Sequence, residues 1–268
     1  MLVELWDRVA QLFSEEGSIG VLGLCEEEGA VVPRVFASVQ EAASMVTEPK
    51  WPLAKTAWQM AQALPDGASL GLVCRGCDMR ALIELEKAGQ LRPGAVRPIG
   101  LNCSAEQAAI CRCETPWPPD APDSEPPAGQ GFPASIAGPD RLEVWRAHFS
   151  RCIKCYGCRN ACPICVCPEC KLEEGGYVTK GRVPPDPLAF HLIRAMHLAD
   201  RCVGCGACRD SCPSGLPLLD IHLAMRNALR ERTGYVSGTA ALSPLLTAGR
   251  EVEPLWEDTR AARGDDHA

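Results

Sequence analysis

The sequence predicts a small α/β N-terminal domain followed by a mostly α-helical domain, and three observations support this. Short apolar runs bounded by glycine alternate with runs of helical spacing in residues 1–113, as in an α/β layer. Residues 114–140 hold eight of the 23 prolines, which is typical of a linker. Eleven of the 17 cysteines follow in two dense runs. We therefore expect domains at 1–113 and 141–236, a proline-rich linker at 114–140 and a tail at 237–268.

The elements of the α/β domain follow from apolar spacing. Apolar residues recur at helical spacing from Leu2 to Phe13, and SIGVLGL is a short apolar run of the kind that forms buried strands. The predicted order is a helix at the N-terminus, a strand in SIGVLGL, a helix in KTAWQMAQAL, a strand in ASLGLV, a helix in DMRALIELEKAG that ends at Gly89, and a strand in AVRPIGL.

Cysteines lie at the ends of two of these predicted strands. Cys74 and Cys77 fall where a strand ends and a helix begins, with Asp78 as the expected N-cap of that helix. Cys103 follows the next strand. Open α/β sheets usually bind ligands at strand ends, so these thiols are candidates for a site.

The helical domain contains DPLAFHLIRAMHLADR, which has helical spacing. We expect one apolar face formed by Leu188, Leu192, Ala195, Met196 and Ala199. We expect a solvated face formed by His191, Arg194 and His197; the alternative is that they are cations beside the second cluster, where they would favour its reduced form. The tail from Ser237 lacks sustained periodicity, so it is either a strap over another surface or mobile.

Composition and charge exclude several function classes. The net charge of -7 and isoelectric point near 5.4 disfavour a nucleic-acid surface, which needs clustered Lys and Arg. No apolar run approaches the roughly 20 residues of a membrane span, and the acidic N-terminus does not look like a signal peptide. We expect a cytoplasmic protein. Thiols are kept reduced there, so 17 cysteines indicate metal or redox chemistry rather than disulfides.

The strongest signal is the pattern C-x2-C-x2-C-x3-C-P, which occurs twice. In two-cluster ferredoxins, three cysteines of such a run bind one [4Fe-4S] cluster and the fourth binds the other. We therefore expect a dicluster ferredoxin-like domain. The first cluster has the expected ligands Cys152, Cys155, Cys158 and Cys212. The second has the expected ligands Cys202, Cys205, Cys208 and Cys162. Zinc is the alternative, but its usual pattern uses two separate pairs of cysteines.

The remaining cysteines leave alternatives open. A third metal site, either a cluster or zinc, is expected among the N-terminal thiols, some of which are otherwise buried packing residues. These thiols are Cys74, Cys77, Cys103, Cys111 and Cys113. A second group consists of Cys165, Cys167 and Cys170. These thiols either join the N-terminal cysteines in a further cluster or a zinc site, or pack in the core. Cys25 stands alone after a predicted strand and is expected to pack in the core.

No catalytic residues are expected. A flavin or nicotinamide site needs a glycine-rich turn that opens a helix, whereas Gly17, Gly20 and Gly23 precede or lie within a strand. Neither a hydrolytic triad nor a pair of catalytic carboxylates is legible in the sequence.

Several segments resemble known redox subunits. LVCRGCDMRALIELEK and PIGLNC resemble the flavin- and iron–sulfur-containing β subunits of coenzyme F420-reducing hydrogenases and formate dehydrogenases. This resemblance implies that Cys77 and Cys103 lie at a cluster, and it makes FAD in the N-terminal domain an alternative. RCIKCYGCRNACP and HLIRAMHLADRCVGCGACRDSCPSGLPL resemble dicluster ferredoxin modules and the helical ferredoxins of heterodisulfide-reductase C type.

We therefore expect an iron–sulfur subunit that relays electrons within a cytoplasmic multi-subunit oxidoreductase. Its expected partners are a hydrogenase, a formate dehydrogenase or a similar module on one side, and a heterodisulfide-reductase-like or flavin-containing subunit on the other. The alternative is a flavin-containing β subunit that itself reduces F420 or NAD. A zinc-stapled scaffold is a third class.

Overall fold

The computed structural model describes residues 2–113, 140–168, 170, 172, 187–239 and 241–247, and the fold is that of these residues. The first part contains α1 (Leu2–Ser14), β1 (Ser18–Glu27), β2 (Ala30–Phe36), α2 (Val39–Ala42), β3 (Met45–Val46), α3 (Ala54–Ala61), β4 (Ser69–Cys74), α4 (Gly76–Lys87), β5 (Val96–Gly100) and α5 (Ala105–Cys111). The second part contains α6 (Arg141–Phe149), α7 (Gly157–Asn160), α8 (Pro187–His197), α9 (Ala207–Asp210), α10 (Leu218–Thr233) and α11 (Pro244–Thr247). The prediction of an α/β region followed by helices is confirmed.

The strands form one mixed five-stranded sheet with the order β2-β1-β4-β5, and β3 pairs with β1. β1, β4 and β5 are parallel, whereas β2 and β3 run antiparallel to β1. β4 is buried along its whole length, as expected for a central strand. The sequence analysis missed β2, where Pro33 weakens the strand pattern, and β3, which has only two residues.

The start of α4 differs from the prediction. Asp78 is not the N-cap; the helix begins at Gly76, and Arg75 is the extended residue before it. The buried Asp78 carboxylate accepts hydrogen bonds from the backbone N–H of Arg75 (3.1 Å) and of Ala54 (2.9 Å). It therefore ties the first turn of α4 to the first turn of α3.

One hydrophobic core is shared by both parts of the chain. Leu53, Leu72 and Ala81 of the α/β region pack in the same cluster as Ile164 and Val203 from the cysteine-rich loops. This core places the carboxyl end of β4 against the second cysteine run. The boundaries at residues 113 and 141 remain predictions, because residues 114–139 lie outside the described part.

Helix α8 corrects two predictions. His191 and Arg194 are buried, not solvated, and only His197 of that set is exposed. Met196 was expected on the apolar face but is 59% exposed. The reason is that α8 packs between α6 and α10, so that the side bearing His191 and Arg194 is covered; His191 stacks on Phe149 with ring centroids 4.5 Å apart.

The described part of the tail is a strap. Ser237 Oγ donates to the carbonyl of Cys202 (2.6 Å), and the Gly238 N–H donates to the carboxylate of Glu84 on α4 (2.6 Å). Residues 248–268 lie outside the described residues. No helix in the described ranges is long and apolar enough to cross a membrane.

We predict that Asp78→Ala lowers the free energy of unfolding by about 1–3 kcal/mol, because two buried N–H groups lose their acceptor. Burial raises the pKa of the Asp78 carboxyl, so a neutral amide is tolerated and Asp78→Asn should cost less. Chemical denaturation of the metal-free protein checks this, with the exposed Asp66→Ala as control. Equal losses for all three variants would contradict it.

Candidate metal centres

The two cysteine runs adopt the same unusual backbone conformation. In the first run, Lys154 and Tyr156 flank Cys155 and have φ of 52° and 60°. In the second, Gly204 and Gly206 flank Cys205 and have φ of 67° and 83°. The left-handed region costs a residue with a side chain roughly 1–2 kcal/mol. The first loop is therefore strained at Lys154 and Tyr156, whereas glycine adopts the same backbone conformation in the second loop without that cost.

The first thiol set contains residues from both runs. Burial raises the pKa of the Cys152 thiol, and the adjacent thiols of Cys212 and Cys155 raise it further. Burial also raises the pKa of Cys158. The nearby thiols of Cys152 and Cys212 add to this increase, whereas the positive charge of Arg194 lowers the pKa. The structure thus brings together the four residues expected for the first cluster.

The two runs meet at Gly157. A Cβ added at Gly157 would lie 2.7 Å from the carbonyl oxygen of Ser211, the residue before Cys212. This close backbone approach carries Cys212 to the first run, so any larger residue at 157 would separate the two loops.

The second thiol set surrounds a cavity. A small cavity is lined by Cys162, Cys202, Cys205 and Cys208, the four residues expected for the second cluster. Burial raises the pKa of Cys208, and Cys205 and Cys202 raise it further. A hydrogen bond with Cys165 lowers the pKa of Cys162, which burial and the thiols of the second run oppose.

Two buried N–H groups in the wall of this cavity test the fit to an iron–sulfur cluster. Arg194 Nη1 lies 2.9 Å from His222 Nε2. A guanidinium can only donate, so Nε2 accepts and the imidazole proton is on Nδ1. Within the described residues, Arg194 Nε and His222 Nδ1 have no hydrogen-bond partner. Four thiols and two free N–H donors suit a cubane, whose sulfides accept hydrogen bonds.

The described residues include no group of three Cys, His, Asp or Glu side chains placed to hold a single metal ion. The donors of the second set therefore line a cavity and do not converge on one point in this structure.

The third thiol set gathers around Lys50. Its Nζ donates to Cys111 Sγ (2.8 Å). Burial lowers the pKa of Lys50, but the thiols of Cys77 and Cys111 outweigh burial and raise that pKa. Burial raises the pKa of Cys77, and Cys103 contributes to that increase. Burial raises the pKa of Cys103, and the nearby thiol of Cys113 contributes to that increase.

Four of the five N-terminal candidates are therefore neighbours: Cys77, Cys103, Cys111 and Cys113. Arg80 Nη2 lies 3.5 Å from Cys113 Sγ and adds a second cation to the group. The fifth candidate, Cys74, ends β4 with its side chain in the hydrophobic core.

The other cysteines lie in different environments. Cys165 is hydrogen-bonded to Cys162 and packs against the shared core. Cys167 is exposed, and Cys170 packs against a separate cluster around Phe149. The structure does not collect these three thiols into one group. Cys25 is buried in the core between α1 and the sheet.

A cation lies at each junction between the sets. Lys50 Nζ also donates to the carbonyl of Cys205 (2.5 Å), which links the third set to the second. Arg194 Nη2 donates to the carbonyl of Cys158 (3.0 Å), which links the cavity of the second set to the first. The three sets therefore form a series with the second in the middle.

Sequence analysis missed Lys50, and it preferred a solvated face for Arg194 over a position beside the second cluster. Lys50 belongs to no motif, so the sequence carries no signal for its role. Arg194 had one: a long cation within an apolar helix next to two cysteine runs favours a buried ion-pairing position.

Comparisons with known proteins bear on one part of this arrangement, the second cysteine run. The family described as 4Fe-4S binding domain matches residues 197–216, which include the whole second cysteine run. This confirms the expected 4Fe-4S chemistry for that region.

Two curated relatives are named as formate dehydrogenase subunits. The F420-dependent formate dehydrogenase subunit beta of Methanocaldococcus jannaschii is 44% identical over 110 residues, or 41% of this chain and 29% of the relative. The F420-dependent formate dehydrogenase 1 subunit beta of Methanococcus maripaludis is 44% identical over 108 residues, or 40% of this chain and 28% of the relative. The resemblance to iron–sulfur β subunits is confirmed, although the chain spans less than a third of their length.

We predict that Cys162→Ala impairs the cluster held by the second run, because its thiol lines that cavity. Paramagnetic resonance of the reduced protein checks this, since each cluster gives its own signal. Cys167→Ala, which removes an exposed thiol five residues away, is the control. Loss confined to the signal of Cys152, Cys155 and Cys158 would contradict the crossed arrangement.

We predict that Cys111→Ala lowers bound iron by about four atoms per chain, the content of one cubane. Cys25→Ala should leave iron unchanged, because Cys25 is buried in the separate core between α1 and the sheet. Iron and sulfide analysis of the two variants, reconstituted side by side, decides the point. The assignment is wrong if Cys25→Ala loses iron and Cys111→Ala does not.

Proposed function

We propose that this chain holds three [4Fe-4S] clusters in series and serves as an electron-transfer subunit of a multi-subunit oxidoreductase. The observation that carries the proposal is the order of the three thiol sets, with the second between the others. Bound clusters would supply one-electron carriers at each position.

The proposed ligands follow the three sets. The first position uses Cys152, Cys155, Cys158 and Cys212. The second uses Cys202, Cys205, Cys208 and Cys162. The third uses Cys77, Cys103, Cys111 and Cys113. The first and second positions make the second half a dicluster ferredoxin-like domain.

The chain's residues provide a short route between these positions. The Cys205 carbonyl and Cys111 thiol share the ammonium of Lys50, so the second and third sets are in contact through one side chain. Arg194 reaches Cys158 of the first set from the wall of the second. Electrons entering at either end can then leave at the other.

The proposed partners follow from the relatives. Both are named as β subunits of formate dehydrogenases. We therefore propose that this chain works in the cytoplasm with a formate dehydrogenase, a hydrogenase or a similar module. A heterodisulfide-reductase-like or flavin-containing subunit is the proposed exchange partner. In this proposal catalysis belongs to the partners, and the chain itself contributes no catalytic residue.

A second candidate is a flavin-containing β subunit that reacts with F420. The names of both relatives, which include F420, favour it. Release of FAD from the purified protein by heat or acid would support this candidate; a spectrum with only the broad iron–sulfur shoulder would support the relay.

We predict that the anaerobically reconstituted protein binds about twelve irons and about twelve sulfides per chain, as three cubanes require. Metal and acid-labile sulfide analysis measures this directly. About eight irons would remove the third cluster from the proposal, and a zinc-loaded protein without sulfide would overturn it.

A further inference from the structure

We propose that Arg194 is a positioning residue whose fixed positive charge raises the reduction potentials of the first and second clusters together. This inference rests on the proposed function, because it concerns the clusters proposed for those positions. It assigns to one buried side chain the control of two neighbouring electron carriers.

The geometry places the guanidinium between the two sets. Arg194 is only 4% exposed, and its Nη2 donates to the carbonyl of Cys158 at 3.0 Å. It also lines the cavity formed by Cys162 and Cys208, together with the other thiols of the second set. The orphaned Nε of Arg194 is a further donor there.

Two imidazoles flank Arg194. His222 accepts from Arg194 through Nε2 and is therefore neutral. His191 lies against the first set, with its Nε2 3.3 Å from Cys152 Sγ. Lys50 and Lys55 are further cations beside the second set, whereas the guanidinium of Arg194 reaches both the first and the second set.

The charge acts on reduction in a definite direction. Reduction adds one negative charge to a carrier, so a nearby fixed cation stabilises the reduced form more than the oxidised form. Arginine stays protonated under all working conditions, and burial limits screening by salt. Arg194 therefore shifts both neighbouring potentials upward, while the third site, on the far side of the second set, is affected least.

The test compares Arg194→Gln with the wild-type chain in redox titrations followed by paramagnetic resonance. At a fixed ambient potential, the ratio of reduced to oxidised protein should fall about tenfold for the first and second clusters, about 59 mV for a one-electron couple. The third cluster should not move. Arg232→Gln, an exposed arginine on α10, is the control and should leave all three unchanged.

Arg194→Lys keeps the charge, so both ratios should stay within about threefold of the wild type. If Arg194→Gln fails to retain iron, the lysine variant is used for the test. A fall of about tenfold in the ratio of reduced to oxidised protein at both clusters, with intact iron, would then overturn the charge assignment. Unchanged potentials in an iron-replete Arg194→Gln protein would also overturn it. Failure of the wild-type chain to bind clusters would instead refute the proposed function.

Discussion

Three thiol sets drawn from distant parts of one chain lie close together, and the repulsion between them as thiolates is the constraint on which the rest of the structure depends. Ligation requires the thiolate, yet burial raises the pKa of Cys77, Cys158 and Cys208. Cations offset this cost where the sets meet. Lys50 lies at one junction and Arg194 at the other, so the proposed metal chemistry depends on contacts between the two parts of the chain.

The α/β sheet positions this assembly through the carboxyl ends of β4 and β5. Cys77 follows the first strand and Cys103 the second, so two thiols of the third set come from adjacent parallel strands. The shared core holds the second cysteine run against the same edge, and the tail strap fastens Cys202 to α4 through Ser237 and Gly238. Neither half completes the series without the other.

The sequence predicted what short-range patterns encode. Apolar spacing located α1, β1, β4 and α4. The repeated cysteine pattern predicted two four-thiol groups; their members lie near one another in the structure, and their ligand role stays a prediction. It failed where the outcome depends on residues distant in sequence. Asp78 became a tie between two helices, and Arg194 became buried, because of what packs over them. Tyr156 adopts a left-handed conformation that its residue type disfavours. The sequence therefore indicates this backbone conformation only in the second loop, where Gly204 and Gly206 adopt it.

The most direct test of the central claim is anomalous diffraction at the iron edge from anaerobically grown crystals of the reconstituted chain. The account predicts three separate iron peaks. The middle peak should lie in the cavity bordered by Cys162 and Arg194, and the outer two should lie beside Cys155 and Cys113. Fewer than three peaks, or a middle position without iron, would contradict a relay through this chain.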